Sequence, residues 1–184
     1  MVKFTLHDKN SAPEQSKPLL DGSVKAFGMI PGLHAVMAES PQVLEAYKKL
    51  HELVLASSFD NDETTVVWQS INVEHACHYC VPAHTGIAKM MDVSDDIINA
   101  LRDETPLPNH KLEALRTFTL AVIRKRGEVS SDEVQTFLDA GYTQRQVLEV
   151  MLVLSQKIMS NYINHIAETP VDEPFKKFAW HKSQ

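Results

Sequence analysis

The chain is poor in the features that mark a secreted, membrane-spanning or nucleic-acid-binding protein. It has two cysteines in 184 residues, so at most one intrachain disulfide is available, closing a loop too short to add much stability. No apolar run reaches the length of a membrane span, and the opening stretch MVKFTLHDKNSAPEQSKPLL holds no signal-type hydrophobic segment. A cytoplasmic address is expected on that ground, where reducing conditions disfavour structural disulfides. Positive charge is scarce. Lys and Arg number 18 against 24 Asp and Glu, a formal charge of −6. The only basic cluster, Arg124-Lys125-Arg126, suits the last turn of a helix better than a phosphate backbone, so no nucleic-acid partner is expected. No Gly-rich phosphate loop is present to hold a flavin or nicotinamide, and no cofactor is expected.

What is present is helical punctuation. Hydrophobic residues make up 43% of the chain and charged residues 23%, the balance of a globular protein with a real core. The first thirty-five or so residues carry Pro13, Pro18, Gly22, Gly28, Pro31 and Gly32, which reads as an irregular arm with short helices at most. Residues 36–184 read as one helical domain. Ser40-Pro41 opens an amphipathic segment with Val43, Leu44, Tyr47, Leu50, Leu53 and Val54 on one stripe. NDETTVVWQSINVEHA, capped at Asn61 or Asp62, is apolar on nearly every side and should be buried all round. Ser94 or a neighbouring Asp caps a short helix that Pro106 and Pro108 end. Asn109 opens a segment closed by Gly127. Ser130 with Glu133, and Thr143 with Gln146, have capping-box spacing. Strands have little room. The pattern predicts an all-α bundle of about seven or eight helices with short links.

Both cysteines and three of the nine histidines fall in the stretch EHACHYCVPAH, residues 74–84. On a helix Cys77, Cys80 and His84 lie at i, i+3 and i+7, within about 60° of one another. Pro82 lacks an N–H and belongs in a first turn, which moves the regular helix start toward Tyr79 or Cys80. Cys80 then sits at the positive end of the helix dipole with His84 one turn on. Such surroundings can lower a thiol from about 8.5 to roughly 3.5–7.5. A zinc site could draw on Cys77, Cys80, His84 and a fourth histidine such as His75 or His78, but no second Cys pair completes a structural-zinc pattern. Two buried cysteines and a core histidine with no chemistry are the third alternative.

The segment CHYCVPAHT, with the apolar TTVVWQSINVEHA before it and the helical stretch GEVSSDEVQTFLDAG to IAETPVDEPF after it, resembles the carboxymuconolactone decarboxylase-like superfamily. Within it the match is to the alkylhydroperoxidase D (AhpD)-like proteins with a C-x-x-C-x-x-x-H motif. The resemblance covers roughly residues 40–175. It implies an all-α AhpD-like fold, a homo-oligomer and a dithiol peroxidase or oxidoreductase. Cys77 and Cys80 would cycle between thiol and disulfide, acting on a small hydroperoxide and reset by an external dithiol. The motif histidine, His84, would relay a proton to Cys80 together with a glutamate. The position matching that glutamate is Thr65 here. Glu63 and Glu74 are the nearby carboxylates. Glu74, ending an apolar helix beside Cys77, is the expected replacement, with burial raising its pKa. A redox-sensing or structural dithiol is the alternative reading. Tyr79 either hydrogen-bonds a sulfur or packs. Asn161, Asn164 and His165 are expected to make structural hydrogen bonds. Met90, Met91, Met151 and Met159 are expected as core filler, and Trp68 as core.

Overall fold

The structure is a computed structural model that describes residues 3–182. Among these residues there are nine α-helices, and no strand is found. They are α1 (Lys17–Phe27), α2 (Gly32–Met37), α3 (Pro41–Leu55), α4 (Asn61–Glu74), α5 (Cys80–Met90), α6 (Asp95–Arg102), α7 (His110–Arg124), α8 (Ser131–Asp139) and α9 (Gln144–Ala167). Short 3-10 turns at Glu14–Ser16 and Glu173–Phe178 flank them. The all-α expectation holds, with eight helices of seven residues or longer.

The capping chemistry sits close to where side-chain hydrogen bonding demands. Ser94, Asn109, Ser130 and Thr143 each accept a hydrogen bond from a first-turn N–H, and Ser130 and Thr143 complete capping boxes. The cap of α4 is Asp60, just before the expected Asn61 or Asp62, because Asp60 closes a box with Glu63. Glu63 is thereby buried rather than solvated, and it takes Lys111 as an ion-pair partner at 2.8 Å.

Helix α4 is the centre of the molecule, packing on α5, α6, α7 and α9. Every residue from Glu63 to Val73 is buried, as a helix without a polar face requires. One apolar cluster gathers Trp68, Ile71, Leu115, Phe118, Phe137 and Val150. A second surrounds the cysteines and is built largely from the N-terminal region, with Leu20, Leu33, Met37, Leu44 and Tyr47 against Cys77, Tyr79 and Cys80.

Residues 1–35 are expected as an irregular arm with short helices at most; the described part, residues 3–35, holds α1, three turns long, and the start of α2. One proline and one glycine of the arm punctuate that first helix. Pro18 occupies the first turn of α1, and Gly28, at φ +73°, is its left-handed cap. Leu20 is buried, and the Ser16 hydroxyl donates to the Ala38 carbonyl. This arm walls the cysteines. On the other side the 3-10 turn Glu173–Phe178 lies across α5 at Gly86, where a Cβ would come within 2.5 Å of the Phe175 ring. Met90 and Met151, expected in the core, are 70% and 42% exposed, because each falls on the outer face of its helix.

Candidate active site

Local backbone geometry places the two sulfurs. Helix α4 ends with Ala76 in the left-handed region, φ +51°. The Ala76 N–H bonds to the Val73 carbonyl and the Cys77 N–H to the Asn72 carbonyl, each at 2.9 Å, the pairing of a Schellman closure. Cys77 is thus held in the turn ahead of α5. Tyr79 is the N-cap and Cys80 the first helical residue, the start that Pro82 predicts. The Cys80 N–H donates to the Cys77 sulfur at 3.2 Å, so a free first-turn donor is met by the neighbouring thiol. Both cysteines are unbridged and buried.

The Cys80 sulfur collects charge and donors. Asn164 Nδ2 reaches it at 3.3 Å from α9. Lys157, also on α9, is fully buried, and its Nζ donates to His84 Nε2 at 2.8 Å. Burial opposes ionisation of Cys80. It is outweighed by the hydrogen bond with Cys77, the Lys157 charge and the Asn164 and Asn161 amides, and the net shift is downward. Cys77 moves up, first through its hydrogen bond with Cys80, then through burial and the charge on that neighbour. One sulfur is set up as thiolate and the other as thiol. Burial, then Lys157 and His51, hold the His84 pKa well below its usual value, so the ring is neutral. Lys157 itself is pulled down by burial and partly restored by the two sulfurs.

His84 is in the site, but its Nε2 faces an ammonium. The cation that stabilises the Cys80 thiolate is Lys157, which sequence reading missed. Its signal was available: in α9, Val150, Val153, Leu154, Lys157, Asn161 and Asn164 share the buried face, and a charge on such a face calls for a partner. Asn164, expected as structural, touches the sulfur. Asn161 links His75 and Asn72 and its amide also acts on Cys80, while His165 is exposed and stacks near His78. His75 and His78 are tied to Asn161 and to the Thr169 carbonyl. Tyr79 meets neither sulfur by hydrogen bond; its hydroxyl donates to Asp172 and accepts from the Leu33 N–H.

The Glu74 expectation needs correction. Its carboxylate makes a two-pronged pair with Arg124, at 2.9 and 2.8 Å. The Arg124 hydrogen bond lowers its pKa, against the opposing effect of burial. It is outside the hydrogen-bonded group at Cys80, and Glu63 is engaged at the far end of α4. Thr65 is buried with an unpartnered hydroxyl. Glu74→Gln is expected to leave the Cys80 pKa, read by pH-dependent alkylation, within about 0.3 units. The lost ion pair should cost about 0.5–1 kcal/mol in urea unfolding. The zinc alternative also lacks donors: among the described residues no three His, Cys, Asp or Glu side chains converge to hold a metal.

A cavity of about 570 Å³ opens onto this group. Cys80, His84, Lys157 and His51 contribute to its lining, whereas Cys77 does not. Most of the wall is apolar, including Phe27, Leu33, Trp68, Ile87 and Phe175. Trp68 is core as expected, but it also meets the His84 ring edge-on at 4.7 Å.

No protein-family model and no curated protein matches the sequence. Solved structures match over nearly the whole chain. An AhpD-core, peroxidase-related protein of uncharacterized function from Ralstonia eutropha JMP134 superposes with a TM-score of 0.84 at 15% identity, covering 94% of this chain and 93% of that one. A peroxidase-related protein from Silicibacter sp. TM1040 gives 0.77 at 16%, covering 95% and 97%. The debrominase Bmp8 gives 0.76 at 17%, covering 94% of each chain. The chain has the all-α fold of the AhpD core. Within that fold its own residues form a buried cysteine pair, of which Cys80 faces a mostly apolar cavity. No described helix is long and apolar enough to cross a membrane.

Proposed function

We propose that the protein is a dithiol-dependent peroxidase acting on organic hydroperoxides. The observation that carries this reading is the Cys80 sulfur, flanked by Lys157 charge, Asn164 and Cys77, on the wall of an apolar cavity. The Cys80 thiolate attacks the distal oxygen of the hydroperoxide. The S–O bond forms as the O–O bond breaks, and the departing alkoxide takes up a proton to leave as the alcohol. Cys77 then attacks the sulfenic acid, forming the Cys77–Cys80 disulfide and releasing water. An external dithiol restores both thiols by exchange and leaves oxidised. In this scheme His84 accepts the Lys157 hydrogen bond and keeps the ammonium beside the sulfur, a narrower role than the proton relay with Glu74 that the resemblance implies.

Self-association is supported by α9, which leaves Leu148, Met151, Ile158, Tyr162 and Ile166 exposed along its length. A cytoplasmic location suits two unbridged thiols.

The Bmp8 likeness supports a second electrophile for the same dithiol, since a structure of that debrominase holds 2,3,4-tribromopyrrole. Here Cys80 would take the bromine, the ring carbon would gain a proton, and Cys77 would displace bromide to give the disulfide. Reduced protein is to be mixed with one equivalent of cumene hydroperoxide, hydrogen peroxide or tribromopyrrole, and its free thiols counted. The peroxidase reading expects loss of both thiols, an intramolecular disulfide, and faster reaction with cumene hydroperoxide than with hydrogen peroxide. Thiols consumed only by tribromopyrrole would favour debromination. Thiols that survive every reagent, or oxidise without turnover under an added dithiol, would return the site to a structural or sensing role.

A further inference from the structure

His51 lies on α3, one turn after Tyr47 and one turn before Leu55, and all three line the cavity. Its ring stacks on Trp68 with centroids 5.8 Å apart. The hydrogen bonds beneath it dictate its tautomer. An indole N–H is a donor only. Trp68 Nε1 donates to Gln156 Oε1 at 2.9 Å, which turns the Gln156 amide nitrogen toward His51. That nitrogen stands 3.0 Å from His51 Nδ1, which must therefore accept. In the neutral ring the proton then resides on Nε2. Burial, with the nearby Lys157 charge adding to it, lowers the His51 pKa to about 4, so the ring is neutral at physiological pH. Among the described residues Nε2 has no hydrogen-bond partner, and His51 is only partly buried where it lines the cavity. His51 thus brings an oriented donor to a mostly apolar cavity wall.

We propose that His51 binds substrate directly, donating from Nε2–H to the acceptor oxygen of a bulky, mostly apolar, uncharged molecule seated over Cys80. The apolar wall takes the organic group, and the His51 N–H, fixed in direction by its tautomer, selects and orients its oxygen. The charge balance fits a neutral ligand, because the Lys157 cation is already matched by the Cys80 thiolate. Asp172 at the wall is likewise satisfied by the Tyr79 hydroxyl and the Gly32 N–H. The assignment of that oxygen to a hydroperoxide rests on the function proposed above; the donor itself does not.

The test separates the two. Equilibrium binding of cumyl alcohol and of cumene, which lacks the oxygen, is measured in wild type, His51→Asn and His51→Gln, with Trp68 fluorescence as the probe. Asn can replace the Nδ1 acceptor but cannot reach the Nε2 position, whereas Gln can place an amide donor there. The ratio of alcohol to cumene affinity is expected to fall about three- to tenfold in His51→Asn, the worth of one neutral hydrogen bond, and to recover in His51→Gln. Ring-nitrogen NMR of the wild type should show the Nε2–H tautomer. An unchanged ratio in His51→Asn, or an Nδ1–H tautomer, overturns the proposal. With cumene hydroperoxide, His51→Asn should raise KM and leave the Cys80 alkylation profile in place. If the wild type turns over no peroxide, the peroxidase reading fails while the alcohol-to-cumene ratio still decides the role of His51.

Discussion

Cys80→Ser is expected to abolish peroxide turnover, a loss of about a thousandfold or more, because a serine hydroxyl is not ionised near neutral pH. Cys77→Ser should behave differently. Its Cys80 still faces the cavity and should consume about one equivalent of peroxide, then stop as a sulfenic acid with no partner to condense with. Quenched-flow thiol counting and trapping of the sulfenic acid by a diketone reagent distinguish the two. The asymmetry follows from position. Cys80 is the sulfur on the cavity wall with donors around it, while Cys77 is held in the turn behind it. Full activity in Cys80→Ser, or equal burst behaviour from both variants, would assign the chemistry to the wrong sulfur.

Lys157→Met is the second large effect. The ammonium holds the Cys80 pKa down, so its removal raises that pKa toward or beyond the free-thiol value near 8.5. At pH 7 the thiolate fraction then drops to a few per cent, and the second-order rate with peroxide should fall about 10- to 30-fold. The sign is definite: the acidic limb of the rate profile moves to higher pH, and raising the pH recovers activity. Stability should be kept or improved, since an apolar side chain of similar length replaces a buried charge. Urea unfolding at pH 7 checks that half of the prediction. A rate profile that stays in place would mean that Cys77 and Asn164 suffice to hold the thiolate.

Much of this arrangement is local and therefore readable along the chain. Helix caps act within one turn, so Ser94, Asn109, Ser130 and Thr143 announced their helices. Pro82 set the start of α5 by the same short-range sterics and put Cys80 at the helix entrance. The spacing of Cys77, Cys80 and His84 needed only the helical repeat. The same short-range rules act in the N-terminal arm, where Pro18 lies in the first turn of α1 and Gly28 caps its end.

Glu74 shows where that reach ends. Beside Cys77 in sequence, it looked like a relay carboxylate, but its direction off α4 leads to Arg124, fifty residues on. Lys157, Asn164 and Gln156 come from α9, and His51 from α3. The CxxC-x3-His spacing contains no information about which face of a distant helix will lie against it. The linear order of residues thus settled an all-α chain with two thiols one turn apart at a helix entrance, because helical geometry and capping are short-range. Packing of α3, α4 and α9 settled which sulfur lies on the cavity wall and which buried lysine, amides and histidine surround it. A buried lysine can lower the thiol beside it, and burial can hold a histidine neutral, only once those helices have excluded water.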